Sequence, residues 1–218
     1  MARNHYAVFG MGSFGSKLAI ELSRAGNTVL IVDIDRERVD DLRDKVTEAV
    51  IADVSNEEVV RELNVRKFDA VILGMSSHFE DQILALTLLK QEGVRKVLAK
   101  ANNAIQERIL FRLGADEVIQ PEQDVAERLS RRLSLTNIAD LFEFKGSAIA
   151  EVIVPESLAG RSLRQLDLRN RFNVTVLLIK KSGCGSETIM NPDTVLEKGD
   201  QLTVFGSQNS IMEVFRGE

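Results

Sequence analysis

Short apolar runs alternate with longer segments of helical periodicity from the N-terminus to about residue 120. Six runs have the length and composition of short strands, and they lie near residues 6–9, 29–32, 49–51, 70–73, 97–99 and 117–119. The first intervening segment carries apolar residues on one helix face, namely Phe14, Leu18, Leu22 and Ala25. This alternation is typical of a parallel sheet covered by helices on both faces. The pattern therefore predicts an α/β fold with a Rossmann-like, doubly wound parallel sheet.

A long helix is predicted to begin at Pro121, because proline is tolerated in the first turn of a helix. Its apolar side is marked by Val125, Leu129 and Leu133, and apolar residues then resume at Ile138, Leu141 and Phe142. The pattern leaves two hypotheses open. The segment is either a linker helix within one chain or a helix that crosses to a second subunit.

After Gly146 the pattern changes to short strands near 149–154, 174–179 and 201–205, with helices near 162–166 and 207–215. Turn residues cluster at 182–186, 191–193 and 198–200. These elements predict a small α+β domain. A core of this size supplies only ~3–5 kcal/mol, so we expect the domain to pair with a copy of itself.

The chain is thus predicted to contain three parts. Residues 1–120 form the domain with the parallel sheet, residues 121–145 the long helix and the linker after it, and residues 146–218 the small C-terminal domain.

Composition narrows the classes of protein to consider. No apolar run among the 218 residues approaches the ~18 that a membrane helix needs, and no secretory leader is evident, so we expect a cytoplasmic protein. The formal net charge of −5 argues against nucleic-acid partners. Cys184 is the only cysteine, which excludes an intrachain disulfide and favours an ordinary loop residue.

The strongest chemical signal is the GMGSFG run at residues 10–15, which follows the first predicted strand and opens the first helix. Gly10 allows the tight turn, Gly12 lets backbone N–H groups approach a pyrophosphate, and Gly15 lets the helix lie close to the sheet. Asp33 ends the second predicted strand, where a carboxylate accepts hydrogen bonds from ribose hydroxyls. The motif predicts a dinucleotide-binding crevice. The alternative is a glycine turn that serves strand-to-helix packing alone.

Catalytic candidates are few. The chain has two histidines, His5 and His78, and one tyrosine, Tyr6, whose position in the first strand indicates packing. His78 follows the fourth strand and is the candidate acid of a small NAD-dependent oxidoreductase, against the alternative of an ordinary loop histidine. Because the chain offers so little reaction machinery, we expect a bound nucleotide to be a signal and the protein not to be an enzyme.

Seven segments together resemble the RCK or KTN-type regulators of the bacterial Trk and Ktr potassium uptake systems. They are FGMGSFG at 9–15, VDID at 32–35, VIADVS at 50–55, AKAN at 99–102, LGAD at 113–116, PEQD at 121–124 and LEKGDQL at 196–202. The resemblance covers almost the whole chain. It implies a Rossmann domain that binds NAD(H) or ATP/ADP, a crossover helix exchanged between subunits, and a small C-terminal domain. It also implies a homodimer and an octameric ring, peripheral at the inner face of the cell membrane beneath a potassium-transporting pore subunit.

The same resemblance assigns residues to the nucleotide. Phosphate contacts fall to Gly12, Ser13, Phe14 and Gly15 after the Gly10 turn, ribose contacts to Asp33, and adenine-side contacts to Asp53 and Val54. Lys100 is implied to reach the phosphates or the ribose.

At three further positions the resemblance leaves the role of the residues open. Glu122 corresponds to a carboxylate that holds a divalent cation at the subunit interface, or it is a first-turn acid that complements the helix dipole. Some relatives that respond to the γ-phosphate of ATP have arginine where this chain has Ser13, which leaves discrimination between ATP and ADP open. The run 169–171 is either an anion site for a cyclic dinucleotide or a surface cluster formed by Arg169, Asn170 and Arg171.

These observations predict a nucleotide-binding gating subunit that controls a membrane potassium transporter through a ligand-dependent change of conformation. The rival hypotheses are a small NAD-dependent oxidoreductase and a free-standing nucleotide or redox sensor.

Overall fold

A computed structural model describes residues 3–75, 78–134, 137–144, 146–182, 187–189 and 191–215. The chain divides into two compact units, Met1–Asp124 and Val125–Glu218. Cys184 and most of the predicted turn at 182–186 lie outside the described residues.

The first unit alternates strands with helices. Its strands are β1 His5–Phe9, β2 Thr28–Asp33, β3 Glu48–Ile51, β4 Ala70–Leu73, β5 Val97–Lys100 and β6 Glu117–Ile119. Its helices are α1 Ser13–Arg24, α2 Arg36–Asp40, α3 Glu57–Glu62, α4 Phe79–Gln91 and α5 Ala104–Arg112, with 3₁₀ turns at Arg43–Lys45 and Val65–Lys67. The six predicted strands are confirmed to within a residue or two at each end.

These six strands form one parallel sheet in the order β3-β2-β1-β4-β5-β6. The order reverses beside β1, which pairs with β2 on one side and with β4 on the other. The predicted doubly wound parallel sheet is therefore confirmed. In such a sheet the carboxyl ends of β1 and β4 flank the crevice where ligands bind.

Both faces of this sheet are buried, which explains the nearly continuous apolar runs in its central strands. Phe9 and Leu73 point into the core on one face, and Val8, Ile31 and Ile72 point into the core on the other. The sheet is thus held from both sides, and the loops at its carboxyl edge start from fixed positions.

The long helix α6 spans Pro121–Ser134 and begins at the predicted proline. The boundary between the two units falls within it, after Asp124. Its apolar residues Val125, Leu129 and Leu133 are 54%, 42% and 75% exposed. No helix in the described part of the chain is both long enough and apolar enough to span a bilayer.

The second unit is built around an antiparallel sheet in the order β10-β9-β11-β8-β7. Its strands are β7 Ile138–Phe144, β8 Ser147–Ile153, β9 Thr175–Lys180, β10 Glu187–Ile189 and β11 Gln201–Gly206. Its short helices are α7 Leu163–Leu166, α8 Leu168–Phe172 and α9 Gln208–Phe215, with a 3₁₀ turn at Glu156–Leu158. The predicted α+β unit is confirmed.

The segment after the long helix differs from the prediction. Residues 138–144, which the sequence analysis assigned to the linker at 121–145, form strand β7, antiparallel to β8. Ile138 and Leu141 pack against the same core although they are three residues apart, because the pairing with β8 shifts register between Ile138 and Asp140. Phe142 is exposed. The sequence of this segment therefore lacks the regular alternation of apolar and polar residues by which a strand is predicted.

Candidate functional site

The glycine turn between β1 and α1 is tightly packed at one end and open at the other. Gly10 has a φ of +91°, which favours glycine, and a Cβ at Gly15 would lie 2.0 Å from the carbonyl oxygen of Gly10. A Cβ at Gly12, in contrast, would meet no protein atom within 4 Å. Gly15 thus packs the helix against the turn, while Gly12 faces open space.

The N-terminus of α1 is available to an anion. Gly12 is the N-cap residue, and no side chain caps this helix. The first backbone N–H groups of the helix have no acceptor within the helix, and groups of this kind are able to donate hydrogen bonds to an anion. The turn therefore has the geometry that the sequence motif predicts.

Asp33, at the end of β2, lies next to this turn and is only 8% exposed. Its Oδ2 accepts a hydrogen bond from the backbone N–H of Met11, and its Oδ1 accepts one from the N–H of Asp35 at 2.8 Å. A carboxylate has lone pairs for further donors, so both oxygens remain able to accept ribose hydroxyls.

A cavity of about 520 Å³ opens at this edge of the sheet. Eight of the ten predicted site residues line it: Gly10, Gly12, Ser13, Phe14, Asp33, Asp53, Val54 and Lys100. The other two are not among its lining residues: Gly15 lies in the packed turn, and Glu122 contacts Lys100. The size suits a small-molecule ligand.

The loop after β3 supplies the side of the cavity next to Asp33. Val54 is almost fully buried there, at 5% exposure. Asp53 Oδ1 accepts hydrogen bonds from the N–H of Ser55 at 2.9 Å and from its hydroxyl at 2.7 Å. The turn is therefore fixed by its own side chains, and it holds an apolar side chain beside an acid.

Lys100 ends β5 and carries its ammonium to the first turn of α6. Its Nζ lies 2.5 Å from Oε1 of Glu122, and the two side chains are 8% and 66% exposed, respectively. The hydrogen bond from Lys100 lowers the pKa of Glu122 below its ordinary value, against a smaller opposing effect of burial. The contact therefore favours the carboxylate form of Glu122.

Several lining residues were missed by the sequence analysis. Gly74 and Met75 follow β4, Arg38 lies on α2, and Asp81 lies in the first turn of α4. The position of Gly74 and Met75 at the carboxyl end of a central strand was a usable signal. The sequence carried no comparable signal for Arg38 and Asp81. Each lies on a helix, and the sequence does not determine how that helix is oriented relative to the cavity.

His78, the candidate acid, also lines the cavity, at the N-cap of α4. Tyr6 packs against the core on the α1 side of the sheet, as predicted.

The sequence analysis named Glu122 as a candidate ligand of a divalent cation. Among the described residues, no group of three His, Cys, Asp or Glu side chains is placed to hold a metal ion. The carboxylate of Glu122 is instead paired with Lys100.

Two family models match the chain, the TrkA-N domain over residues 6–121 and the TrkA-C domain over residues 149–216. The chain is 32% identical over 212 residues to Ktr system potassium uptake protein C of Bacillus subtilis, covering 96% of this chain and 95% of that protein. It is 35% identical over 209 residues to Ktr system potassium uptake protein A of Vibrio alginolyticus, covering 94% of each.

Among solved structures, the fold is similar to that of the GsuK channel bound to NAD. The TM-score is 0.65 at 18% identity, and the match covers 100% of this chain and 40% of that one. At this identity the likeness concerns the fold.

Proposed function

The chain belongs to the family of proteins with TrkA-N and TrkA-C domains, and from this premise we propose that it is a nucleotide-binding regulatory subunit of a membrane potassium transporter. The family that its motifs resemble is thereby confirmed. The subunit binds a nucleotide in the crevice of its first unit and changes the activity of its membrane partner.

The observation that carries this proposal is the cavity beside β1, where the open Gly12 turn and the Asp33 carboxylate face the same space. Backbone donors at a helix N-terminus suit phosphates, and a carboxylate at the end of the next strand suits ribose hydroxyls. The two groups together match an adenosine nucleotide better than they match an isolated anion.

The ligand is NAD(H) or one of ATP and ADP. Gly12, Ser13, Phe14 and Gly15 hold the phosphates through their backbone, and Asp33 holds the ribose. Asp53 and Val54 lie on the adenine side. The GsuK channel, which has a similar fold, binds NAD, and this supports NAD as a ligand here. Ser13 offers one hydroxyl and lacks the charged fork of arginine, so we expect little discrimination between ATP and ADP.

The partner is a membrane potassium-transporting pore subunit, as the names of the Ktr relatives suggest. The chain lies at the inner face of the cell membrane. It forms a homodimer and assembles into an octameric ring. The exposed residues Val125, Leu129 and Leu133 of α6 support exchange of this helix between subunits, because an apolar stripe of this kind is normally covered.

Two further ligands follow from the family resemblance. A divalent cation at Glu122 needs ligands from a second copy, and it has to displace Lys100 from that carboxylate. A cyclic dinucleotide at the C-terminal unit has Arg169, Asn170 and Arg171 as candidate contacts. These three residues lie on α8.

The rival function is a small NAD-dependent oxidoreductase, which the position of His78 at the cavity favours. We propose instead that the nucleotide is sensed and released unchanged. Incubation of the pure protein with NADH and carbonyl substrates distinguishes the two. Oxidation of NADH above background supports the enzyme.

Regulation requires unequal affinity of the nucleotide for two conformations, since equally tight binding to both shifts nothing. A coupling of ~1–3 kcal/mol changes activity about five- to a hundredfold. Thermal-shift measurements with NAD, NADH, ATP and ADP test the binding step, because a ligand that prefers the native state raises its apparent stability. No shift with any of these nucleotides contradicts the proposal.

A further inference from the structure

Lys100 contacts an anion of the protein, Glu122, and also lines the cavity of the proposed nucleotide site. We propose that Glu122 sets the affinity of the cavity for phosphate groups by competing with them for the Lys100 ammonium. This inference rests on the proposed nucleotide site and adds a regulatory contact to it.

The backbone of Lys100 is held in place by burial and by a hydrogen bond from α4. The residue is 7% exposed and ends β5, and its carbonyl oxygen accepts a hydrogen bond from Nε2 of Gln82 at 2.8 Å. Gln82 lies on α4 and is itself fully buried. With its backbone fixed in this way, Lys100 lines the cavity while its Nζ contacts Glu122 on α6.

The charges around the cavity make Lys100 the cation that a phosphate needs. Four acids line the described cavity: Asp33, Asp35, Asp53 and Asp81. Among the described lining residues, the lysine and arginine side chains are Arg38 and Lys100. Arg38 already pairs with Asp35, with Nε 3.2 Å from Oδ2. Lys100 is paired as well, with Glu122, but its side chain is 8% exposed against 55% for Arg38. Because solvent screens its charge less, a diphosphate gains more from Lys100 than from Arg38.

An incoming phosphate and the Glu122 carboxylate repel each other if both approach the same ammonium. Each anion therefore weakens the hold of the other, and by linkage the effect is reciprocal. Adenosine has no phosphate and leaves the Lys100–Glu122 pair intact. The Lys100–Glu122 pair connects β5 to the first turn of α6. A ligand with phosphate groups weakens this pair and so loosens the start of the helix, whereas adenosine does not.

Calorimetry on the full chain with ADP and with adenosine tests the competition, since the two ligands differ only in the diphosphate. In Glu122→Gln we expect ADP to bind about fivefold or more tighter than in the wild type, with adenosine unchanged. In Lys100→Met we expect the preference for ADP over adenosine to shrink. Asp124→Asn is the matched control, because it removes a charge from the same helix turn without touching Lys100, and both affinities should stay within about twofold.

A second readout follows α6 itself. Amide hydrogen exchange in the first turn of α6 should rise when ADP is added to the wild type. It should not rise with adenosine, nor with ADP in Glu122→Gln, where the pair is already broken.

The outcomes separate the two proposals. If adenosine and ADP both bind but Glu122→Gln leaves the ADP affinity at the wild-type value, the competition is wrong and the nucleotide site stands. The same holds if the affinities for both ligands change equally. If ADP and adenosine do not bind to the wild type but NAD does, the competition is wrong and the nucleotide site stands. If NAD, NADH, ATP and ADP all fail to bind, the proposed function fails and the competition fails with it.

Discussion

The carboxylate of Asp33 accepts a hydrogen bond from the backbone N–H of Met11, so the acid at the end of β2 also braces the glycine turn that follows β1. The predicted ribose acceptor and the predicted phosphate turn are thus one connected structure. The side chain is nearly buried, and each of its oxygens accepts a backbone hydrogen bond, so the protein itself holds its orientation.

Replacement of Asp33 by alanine should weaken NAD and ADP alike by about 10- to 100-fold, since hydrogen bonds to a charged group contribute ~1.5–3 kcal/mol. The domain should stay folded, because the strands on either side remain packed. Calorimetry measures the affinities, and Asp33→Asn, which keeps one acceptor oxygen, should lose less. Unchanged affinity in Asp33→Ala removes this residue from the site.

The same carboxylate predicts a preference among dinucleotides. A 2′-phosphate on the adenosine ribose places negative charge beside Asp33, so NADP should bind at least about tenfold more weakly than NAD. In Asp33→Asn the difference should narrow. Competition calorimetry in one buffer compares the two ligands, and tighter binding of NADP than of NAD and ADP is incompatible with the proposed ribose contact.

Two glycines of the same turn should respond differently to alanine. In Gly15→Ala the new Cβ would lie 2.0 Å from the Gly10 carbonyl oxygen, so the unit must deform and its melting temperature should fall. In Gly12→Ala the new Cβ meets no protein atom within 4 Å, so the melting temperature should stay the same while nucleotide affinity falls. If Gly12→Ala binds ADP as well as the wild type does, the phosphates lie elsewhere.

The sequence alone predicted the first unit closely because its strands are buried on both faces. Runs such as residues 29–32 are continuously apolar and bounded by polar turns, which leaves little choice of element. The second unit was harder. Phe142 and Phe144 are apolar but exposed, so they do not mark the buried face of β7. Helix α8 follows directly after Asp167, whose left-handed backbone conformation is not predictable from the sequence.

The candidate site, too, was predictable from the sequence only in part. The glycine turn and Asp33 are adjacent to strands whose position the apolar pattern reveals. The contact of Lys100 with Glu122 joins residues 22 positions apart, on a strand and a helix. The family resemblance pointed to each of these residues, but only the fold shows that they touch.

In the second unit, Asp200 is fully buried, and its carboxylate contacts Lys181 at 2.8 Å and the backbone N–H groups of Ser182 and Glu197. Burial raises the pKa of Asp200, but the hydrogen bonds from Lys181 and the two N–H groups outweigh it, so the net pKa is lowered. The ionised form is therefore the one that the fold favours.

Asp200→Asn should destabilise this unit at neutral pH by about 1.5–3 kcal/mol, measured by hydrogen exchange of the β11 amides. A lowered pKa in the folded state gives a contribution that is present above the unfolded pKa of about 3.9 and is lost as the pH falls below it. The wild type should lose this contribution below about pH 4, and the variant should lack it at every pH.

The control is Asp193→Asn, which removes an exposed ion pair with Arg164. It should leave exchange of the β11 amides unchanged, because exposed ion pairs contribute little. Equal effects of the two substitutions contradict the role given to the buried carboxylate.

The central claim is that a nucleotide bound in the first unit controls potassium transport without being consumed. The direct test uses vesicles that contain this chain and a potassium pore subunit isolated by its copurification with it. Potassium flux is measured with ADP or NAD added, and the nucleotide is recovered afterwards. We predict a flux change of about fivefold or more with the wild type, no change with Gly12→Ala, and chemically unaltered nucleotide. A flux that ignores bound nucleotide, or a nucleotide recovered as a reaction product, contradicts the account.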